Sequence, residues 1–428
     1  MTIYPPMRLA YRFDCHQHTE RLLALCRVSK NLYNQALYEY RQAKDNEGKY
    51  LSYYDLNKLM PTVTNLEGTV NYRLLKAQVA QQTLQALSRT IKSFYKSVVE
   101  WKKNPSKFTG KPEFPKFLKR NGYYPVMYTN QCCRIYDGKI RLEKGLVIGI
   151  PQWEEYRDRL ERFQQVRIVP KNGYVVVEVL YESDEPNESL DTSRCASIDL
   201  GVSNLVTMVT DFSEPIIYSG KQLKANNQWF NHELSRLKSA AQTCNNKKTS
   251  KRIKRLYDRR NKQMDDAMHK VSRHIVRTLV ANGIGHLVLG HNKGWKDSIN
   301  LGKVTNQNFT EIPYDRLISM LRYKCECCGI RFEETEESHT SKCDALAFEE
   351  IGHHETYLGK RKRRGLFQSS TGRLVNADVN GALNIMRKVV GDSPEVRAIV
   401  DSGRLFRPRK EKDIYSLSQI DFIIINKI

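Results

Sequence analysis

The sequence has no run of about eighteen apolar residues, no secretory leader and no lipidation motif, which excludes a single membrane-spanning helix and the common lipid anchors. These absences predict a cytosolic, nucleoid-associated protein. It also lacks a disulfide framework, because its ten cysteines fall at 15, 26, 132, 133, 195, 244, 325, 327, 328 and 343 without regular spacing. Reduced thiols fit that compartment. Acids are scarce, with 47 Asp and Glu against 70 Lys and Arg, so the 428-residue chain carries a formal charge of +23. An excess of that size points to nucleic acid as the partner. What is present is ample apolar content, 40% of residues, enough for the cores of about three domains.

Residues 4 to 14 read as a strand. In residues 18 to 43, apolar side chains at Leu22, Leu23, Cys26, Val28, Leu32, Tyr33 and Ala36 recur at helical spacing behind Thr19 as a cap. More helix follows over 73 to 101, with Lys and Arg among Tyr, Phe and Trp, a texture that suits phosphate contact and base stacking as well as an ordinary charged helix face. From 105 the Pro-, Gly- and Lys-rich PSKFTGKPEFPKFLKRNG breaks helix and leads into KIRLEKGLVIGI, FQQVRIVPK and YVVVEVLYE, alternating stretches that predict antiparallel strands. Residues 184 to 192 form an acidic polar linker.

Beyond the linker, RCASIDLGVSNLVTMVT rises through apolar residues to a lone acid, Asp199. A carboxylate at the end of a buried strand must bind something, since left unpaired it would lose several kcal/mol or keep its proton. Two more strands, a long basic helical stretch over 227 to 282, the strand HLVLG, a helix around PYDRLISMLRYKCECC, a strand around IRFEETEE and a helix from Asp378 follow. That order is RNase H-like, in which strand ends gather acids at one rim of a mixed sheet. Cutting a phosphodiester needs an activated water and a stabilised leaving oxygen, which two Mg²⁺ ions about 4 Å apart supply when three or four carboxylates converge. Asp199 suits the central ligand. Asp378, in the first turn of its helix, suits a second, with N-terminal capping as its plain structural role.

The segments SIDLGVSNLVT, NADVNGALNI, CRVSKNLYNQAL, GKPEFPKF and HTSK resemble the TnpB (OrfB) family of insertion-sequence proteins, relatives of the type V CRISPR effectors, over roughly residues 7 to 390. The resemblance implies an α+β multidomain chain. Residues 1–19 and 105–185 would form a small antiparallel β wedge domain and 20–104 a helical recognition lobe. Residues 193–341 and 373–392 would form an RNase H-like (RuvC) mixed α/β nuclease domain, with 342–372 an insert and 393–428 a tail. It further implies an RNA-guided, Mg²⁺-dependent DNA endonuclease, with guide RNA from the transposon end and double-stranded target DNA beside a short motif as partners. Asp199 and Asp378 match the first and last acids. The middle acid is missing, for the chain reads VLGHN with Gly290 where glutamate is expected. The next strand ends in TEESHTSK, as in a branch of the family with a displaced glutamate, so Glu336 or Glu337 is the replacement, with Glu337 preferred because strand alternation admits only one of them. His291 lies near enough in sequence to approach the site.

Relatives often carry a four-cysteine zinc ribbon between the fifth strand and the last acid. Here 342 to 376 holds only Cys343. Cys325 and Cys328, with Cys343 and His353 or His354, make up four tetrahedral ligands on paper, but small buried core cysteines are the preferred reading and zinc is not expected. Two basic stretches predict phosphate contact: Lys251, Arg252, Lys254, Arg255, Arg259 and Arg260 along one helix, and Lys360, Arg361, Lys362, Arg363 and Arg364 in the insert. The alternatives are a nuclease-dead, RNA-guided DNA-binding regulator and a DNA transposase acting directly on transposon ends.

Overall fold

The computed structural model describes residues 7–183, 190–246, 248–292 and 312–417. Of the linker read at 184–192, residues 184–189 lie outside them and 191–192 open a strand; parts of the expected first domain (1–6) and of the tail (418–428) also lie outside. The chain divides into two compact units, Met1–Glu185 and Pro186–Ile428.

The first unit runs β1 (Met7–Cys15), α1 (Thr19–Glu47), α2 (Tyr53–Leu59), α3 (Ala77–Lys103), β2 (Val126–Thr129), β3 (Arg134–Tyr136), β4 (Lys139–Glu143), β5 (Leu146–Gly149), α4 (Trp153–Leu160), β6 (Phe163–Pro170) and β7 (Val175–Ser183). Leu22, Cys26, Ser29, Leu32, Tyr33, Ala36, Leu37 and Tyr40 recur every three or four residues along α1, so one face of the helix is buried. Thr19 is not its cap. The cap position is His18, in the left-handed region at φ 50°, and the Thr19 hydroxyl turns back to donate to the His16 carbonyl at 2.9 Å. The antiparallel sheet β1-β7-β6-β2 and the helices share one core, in which Leu37 and Leu84 belong with Val126, Ile168 and Val177. The strands read in KIRLEKGLVIGI form the β4–β5 hairpin.

The second unit runs β8 (Asp191–Leu200), β9 (Asn204–Thr210), β10 (Ile216–Ser219), α5 (Lys221–Asn245), α6 (Lys251–Ala281), β11 (Ile284–Gly290), α7 (Tyr314–Cys327), β12 (Arg331–Thr335), β13 (Lys360–Arg363), β14 (Leu366–Gln368), β15 (Leu374–Asn376), α8 (Ala377–Val390), α9 (Pro394–Asp401) and β16 (Arg409–Glu411). Its main sheet has the order β12-β11-β8-β9-β10-β16, parallel between β12, β11 and β8, antiparallel from β8 to β10 and parallel again at β16. The basic helical stretch is two helices rather than one, and part of the expected tail supplies the β16 edge.

Alternation along β8 sorts its side chains between two cores. Ala196, Ile198 and Leu200 join α6 and α7 residues such as Met268, Ile275 and Leu317, while Cys195 joins Val379, Ala382 and Ile385 of α8 on the other face. Ser197 donates to the Ala382 carbonyl at 2.6 Å, and Asp199 follows on that side. The fold therefore aims one acid at the start of α8.

The insert is organised around a fully buried carboxylate. Asp344 accepts hydrogen bonds from the Leu346 and Ala347 amides, from the Ser369 hydroxyl at 2.8 Å and from the Ser370 amide at 2.7 Å. Glu349 extends the network to the Asp344 and Leu358 amides, and Asn380 and Asn384 of α8 donate to the Cys343 carbonyl. Removing this acceptor strands several buried donors. Asp344→Ala should therefore destabilise the fold by about 3 kcal/mol, read as a lower urea midpoint, with new proteolytic cuts confined to 345–375. An unchanged midpoint would show that the carboxylate does not hold the insert.

Candidate functional site

Asp199 reaches the rim of the sheet one residue before β8 ends. Gly381 on α8 is what lets it seat, because a Cβ there would stand only 3.0 Å from Asp199 Oδ2. The residue keeps a partly open edge, yet protein packs closely round the carboxyl itself, and this local packing governs its ionisation. Its pKa is raised well above the ordinary value, first by burial, then by the charges of Asp378 and Glu337, against smaller opposing effects from the Leu200 backbone and Arg361. Asp199 on β8 thus lies within electrostatic reach of an acid on α8 and of one just past β12.

Asp378 is free to take part because the capping role belongs to its neighbour. Asn376 is the N-cap of α8, accepting from the Asp378 amide at 2.9 Å and the Val379 amide at 3.4 Å. The Asp378 carboxylate instead accepts from the Asn204 amide at 2.6 Å and lies 3.9 Å from the Arg361 guanidinium.

The two glutamates after β12 part company. The strand ends at Thr335, so strand alternation does not choose between them. Lys388 does: its ammonium donates to the Glu336 carbonyl at 2.9 Å, the Glu336 carboxylate at 3.1 Å and the Ser338 carbonyl at 2.9 Å. Glu336 is held outward, its side chain 62% exposed, while Glu337 turns in. Burial, then the charge of Glu336, raise the Glu337 pKa, and Lys388 moderates it. The Glu337 amide is fixed by the Asn292 side chain at 3.0 Å.

Gly290 on β11 faces Ile385 and Glu337. A side chain there would collide with Ile385, and its Cβ would lie 3.4 Å from the Glu337 Cβ. The space next to position 290 is already Glu337's. Of the predicted acids, Asp199, Glu337 and Asp378 are brought together and Glu336 is not. His291 is turned aside, its Nδ1 3.5 Å from Glu334.

Oxygen donors placed where negative charge is penalised fit a divalent cation, and the three that would hold it are Asp199, Glu337 and Asp378. Among the described residues, no group of three or more His, Cys, Asp or Glu side chains is already drawn into a ligating arrangement. Electrostatic coupling reaches further than coordination, so both statements hold: the acids are neighbours, not yet a closed ligand set. The cysteines on which a zinc site was weighed are separated. Cys325 lies in the core formed with α6 and α7, Cys343 is tied to α8, and the His354 ring bonds the Glu350 carbonyl at 2.7 Å.

Lys360 to Arg364 are exposed on β13 and its turn, and two of them reach the acids' side: Arg361 as above, and Arg364, which donates to Ser203 at 3.2 Å. Lys251, Arg252, Lys254, Arg255 and Arg259 are exposed along α6. Arg260 is not, for it donates to Asn227 of α5 at 3.0 Å and lies 5.1 Å from the Phe230 ring. Sequence reasoning missed Asn204, Asn292, Gly381 and Lys388. Asn204 and Gly381 stand inside the two quoted motifs, whereas Lys388 looks like any basic residue late in a helix.

Residues 178–296 match the family model OrfB_IS605, described as a probable transposase, and residues 314–385 match the model of the Cas12f1-like TNB domain. The TnpB-like protein ORF457 of Acidianus two-tailed virus is 24% identical over 208 residues, which span 46% of this chain and 42% of that protein, less than half its length. Two solved structures share the fold. One is the Cas12f1-sgRNA-target DNA complex, with TM-score 0.53 and 14% identity over 86% of this chain and 82% of that one. The other is the mini-RNA-guided endonuclease CRISPR-Cas phi3, with TM-score 0.57 and 12% identity over 91% and 93%.

The raised pKa of Asp199 carries a stability consequence with a definite sign. The folded state binds this proton more tightly than the unfolded chain, so below about pH 4 the carboxyl contributes nothing, and above it the native state is penalised increasingly until the folded pKa is passed. In a chelating buffer, Asp199→Asn should melt higher than the parent at pH 8, with the gap shrinking as pH is lowered towards 4. Equal melting temperatures at pH 8 would mean the carboxyl is not under strain.

Proposed function

We propose that the protein is an RNA-guided, Mg²⁺-dependent DNA endonuclease of the TnpB type, and that its second unit is an RNase H-like (RuvC) nuclease domain cutting at Asp199, Glu337 and Asp378. The observation that carries this is the convergence of the three acids at one rim, with Glu337 beside the position that Gly290 leaves empty of side chain. Bound there, Mg²⁺ would supply a water acidic enough to attack phosphorus and a charge to stabilise the leaving oxygen. The chain's own residues set the stage. Asn204 orients Asp378, Lys388 and Asn292 fix the turn that presents Glu337, and Arg361 with Arg364 offer cations beside the acids for the scissile strand's phosphates. Guide RNA from a transposon end and double-stranded target DNA beside a short motif are the proposed partners. The RNA and target DNA in the similar Cas12f1 complex, the RNA-guided activity of the similar CRISPR-Cas phi3 endonuclease, and the basic faces of α6 and of the insert support this. The first unit would supply the wedge and the recognition lobe. Among the described residues no helix is long and apolar enough to cross a membrane, in keeping with the proposed cytosolic, nucleoid-associated setting.

A second reading, a nuclease-dead RNA-guided binding protein, draws on the engagement of Asp378 by Asn204 and Arg361 and on the open arrangement of the acids. A transposase acting directly on transposon ends would need no RNA.

All three are separated by cleavage of a plasmid library with randomised flanks, in Mg²⁺, with and without the transposon-end RNA. Asp199→Ala and Glu337→Gln should each lower RNA-dependent cutting by about a hundredfold or more, the scale of losing one group that stabilises transition-state charge. Glu336→Gln should cut nearly as the parent does. Adding Gly290→Glu to Glu337→Gln should not rescue, since Ile385 blocks the new side chain. Rescue, or dependence on Glu336 instead, would defeat the assignment. RNA-dependent binding without cutting by the parent would establish the nuclease-dead reading, and strand transfer without RNA the transposase.

A further inference from the structure

The α5–α6 hairpin carries an aromatic residue that neither the acid site nor the folding of the unit employs. The two helices are held together by a small core of their own, in which Phe230, Leu237, Ala241, Ile253 and Leu256 are buried. Phe230 packs edge-on against Tyr257, with ring centroids 5.1 Å apart, and Arg260 ties α6 to Asn227. On this stiff support Phe230 points inward and the next residue back, Trp229, points out, 51% exposed.

A lone exposed apolar side chain needs no explanation. Trp229 is not alone. The Arg259 guanidinium lies 5.5 Å from its ring, and Arg252 and Arg255 are exposed on the same helix face, at i, i+3 and i+7 with Arg259. Along the axis these cations are about 4.5 and 6 Å apart, a spacing that a sugar–phosphate backbone can follow. The acid facing this ridge, Glu233, is neutralised by a two-pronged bond to Arg236 at 2.7 and 2.9 Å. The edge is therefore a cationic ridge with one aromatic platform at its end. It has no apolar belt for a membrane and little unpaired negative charge to attract a basic protein.

We propose that this edge binds single-stranded nucleic acid, with Trp229 stacking one unpaired base and Arg259, Arg255 and Arg252 contacting successive phosphates. A duplex offers phosphates to the ridge but no free base face to the indole, so the edge distinguishes single from double strands. The inference rests on the nucleic-acid reading of α6 but not on cleavage.

Binding is measured on the full chain in EDTA, which takes the acids out of the experiment, using oligo(rU), oligo(dT) and a mixed-sequence duplex over a salt series. Trp229→Ala should weaken single-strand binding about tenfold or more, within the range for loss of one base–aromatic stack. It should leave duplex affinity and the salt slope unchanged, because no charge is removed. Trp229→Phe should restore most of the affinity while removing the Trp229 share of the strand-induced indole quenching expected of the parent. Arg255→Gln should lower the single-strand salt slope by about 0.7. A loss confined to oligo(rU) would assign the edge to RNA, and one confined to oligo(dT) to a DNA single strand. Unchanged binding in Trp229→Ala, an equal loss on strand and duplex, or full quenching in Trp229→Phe would each overturn the proposal. None of these results depends on whether Asp199, Glu337 and Asp378 cut.

Discussion

The burial of the Asp199 carboxyl at the end of β8 is the constraint around which the second unit is built. Bringing Asp199 under α8 removes it from water, and the approach of Asp378 and Glu337 makes its ionisation harder still. Several neighbouring choices make sense only as accommodations of that arrangement. Gly381 clears the space for the Asp199 carboxyl, Asn376 takes over the capping that would otherwise occupy Asp378, and Lys388 draws Glu336 away so that a second adjacent negative charge stays out.

The place of Glu337 follows from the same packing. In a mixed sheet, the rim can be supplied from any strand that ends there, and β11 and β12 are parallel neighbours ending at the same level, Gly290 beside Thr335. Ile385 packs against β11 at Gly290, and Glu337 reaches the rim from just past β12.

Much of this was legible in the chain. Periodicity placed α1 and α3, alternation placed the strands of the first unit, and the lone Asp199 at the end of an apolar run marked the rim. Other features were not. Strand alternation was expected to decide between Glu336 and Glu337 and does not; which of them turns inward depends on Lys388, far away in sequence and unremarkable in its local context. The Asp344 network was invisible because Asp344, Glu349, Ser369 and Ser370 look like ordinary loop polar groups until the insert folds. Thr19 looked like a cap because the pattern rule knows nothing of the His16 carbonyl. Arg260 read as one more phosphate contact, since composition does not say which way a side chain on a two-helix hairpin turns. For Glu336 and Arg260 the deciding partner, Lys388 or Asn227, is remote in sequence, which local rules do not see.

The separation of the acids along the chain has a consequence for synthesis. The core of the first unit is closed by residues between Tyr11 and Tyr181, so it can form while the rest is still being translated. Asp199 emerges next, but its neighbours Glu337 and Asp378 come much later, and α8, which covers the face where Asp199 sits, is made only with them. A nascent chain therefore displays its basic α6 helix well before it can assemble the acid rim. Whatever binds that helix has the opportunity to do so on the ribosome, ahead of any chemistry.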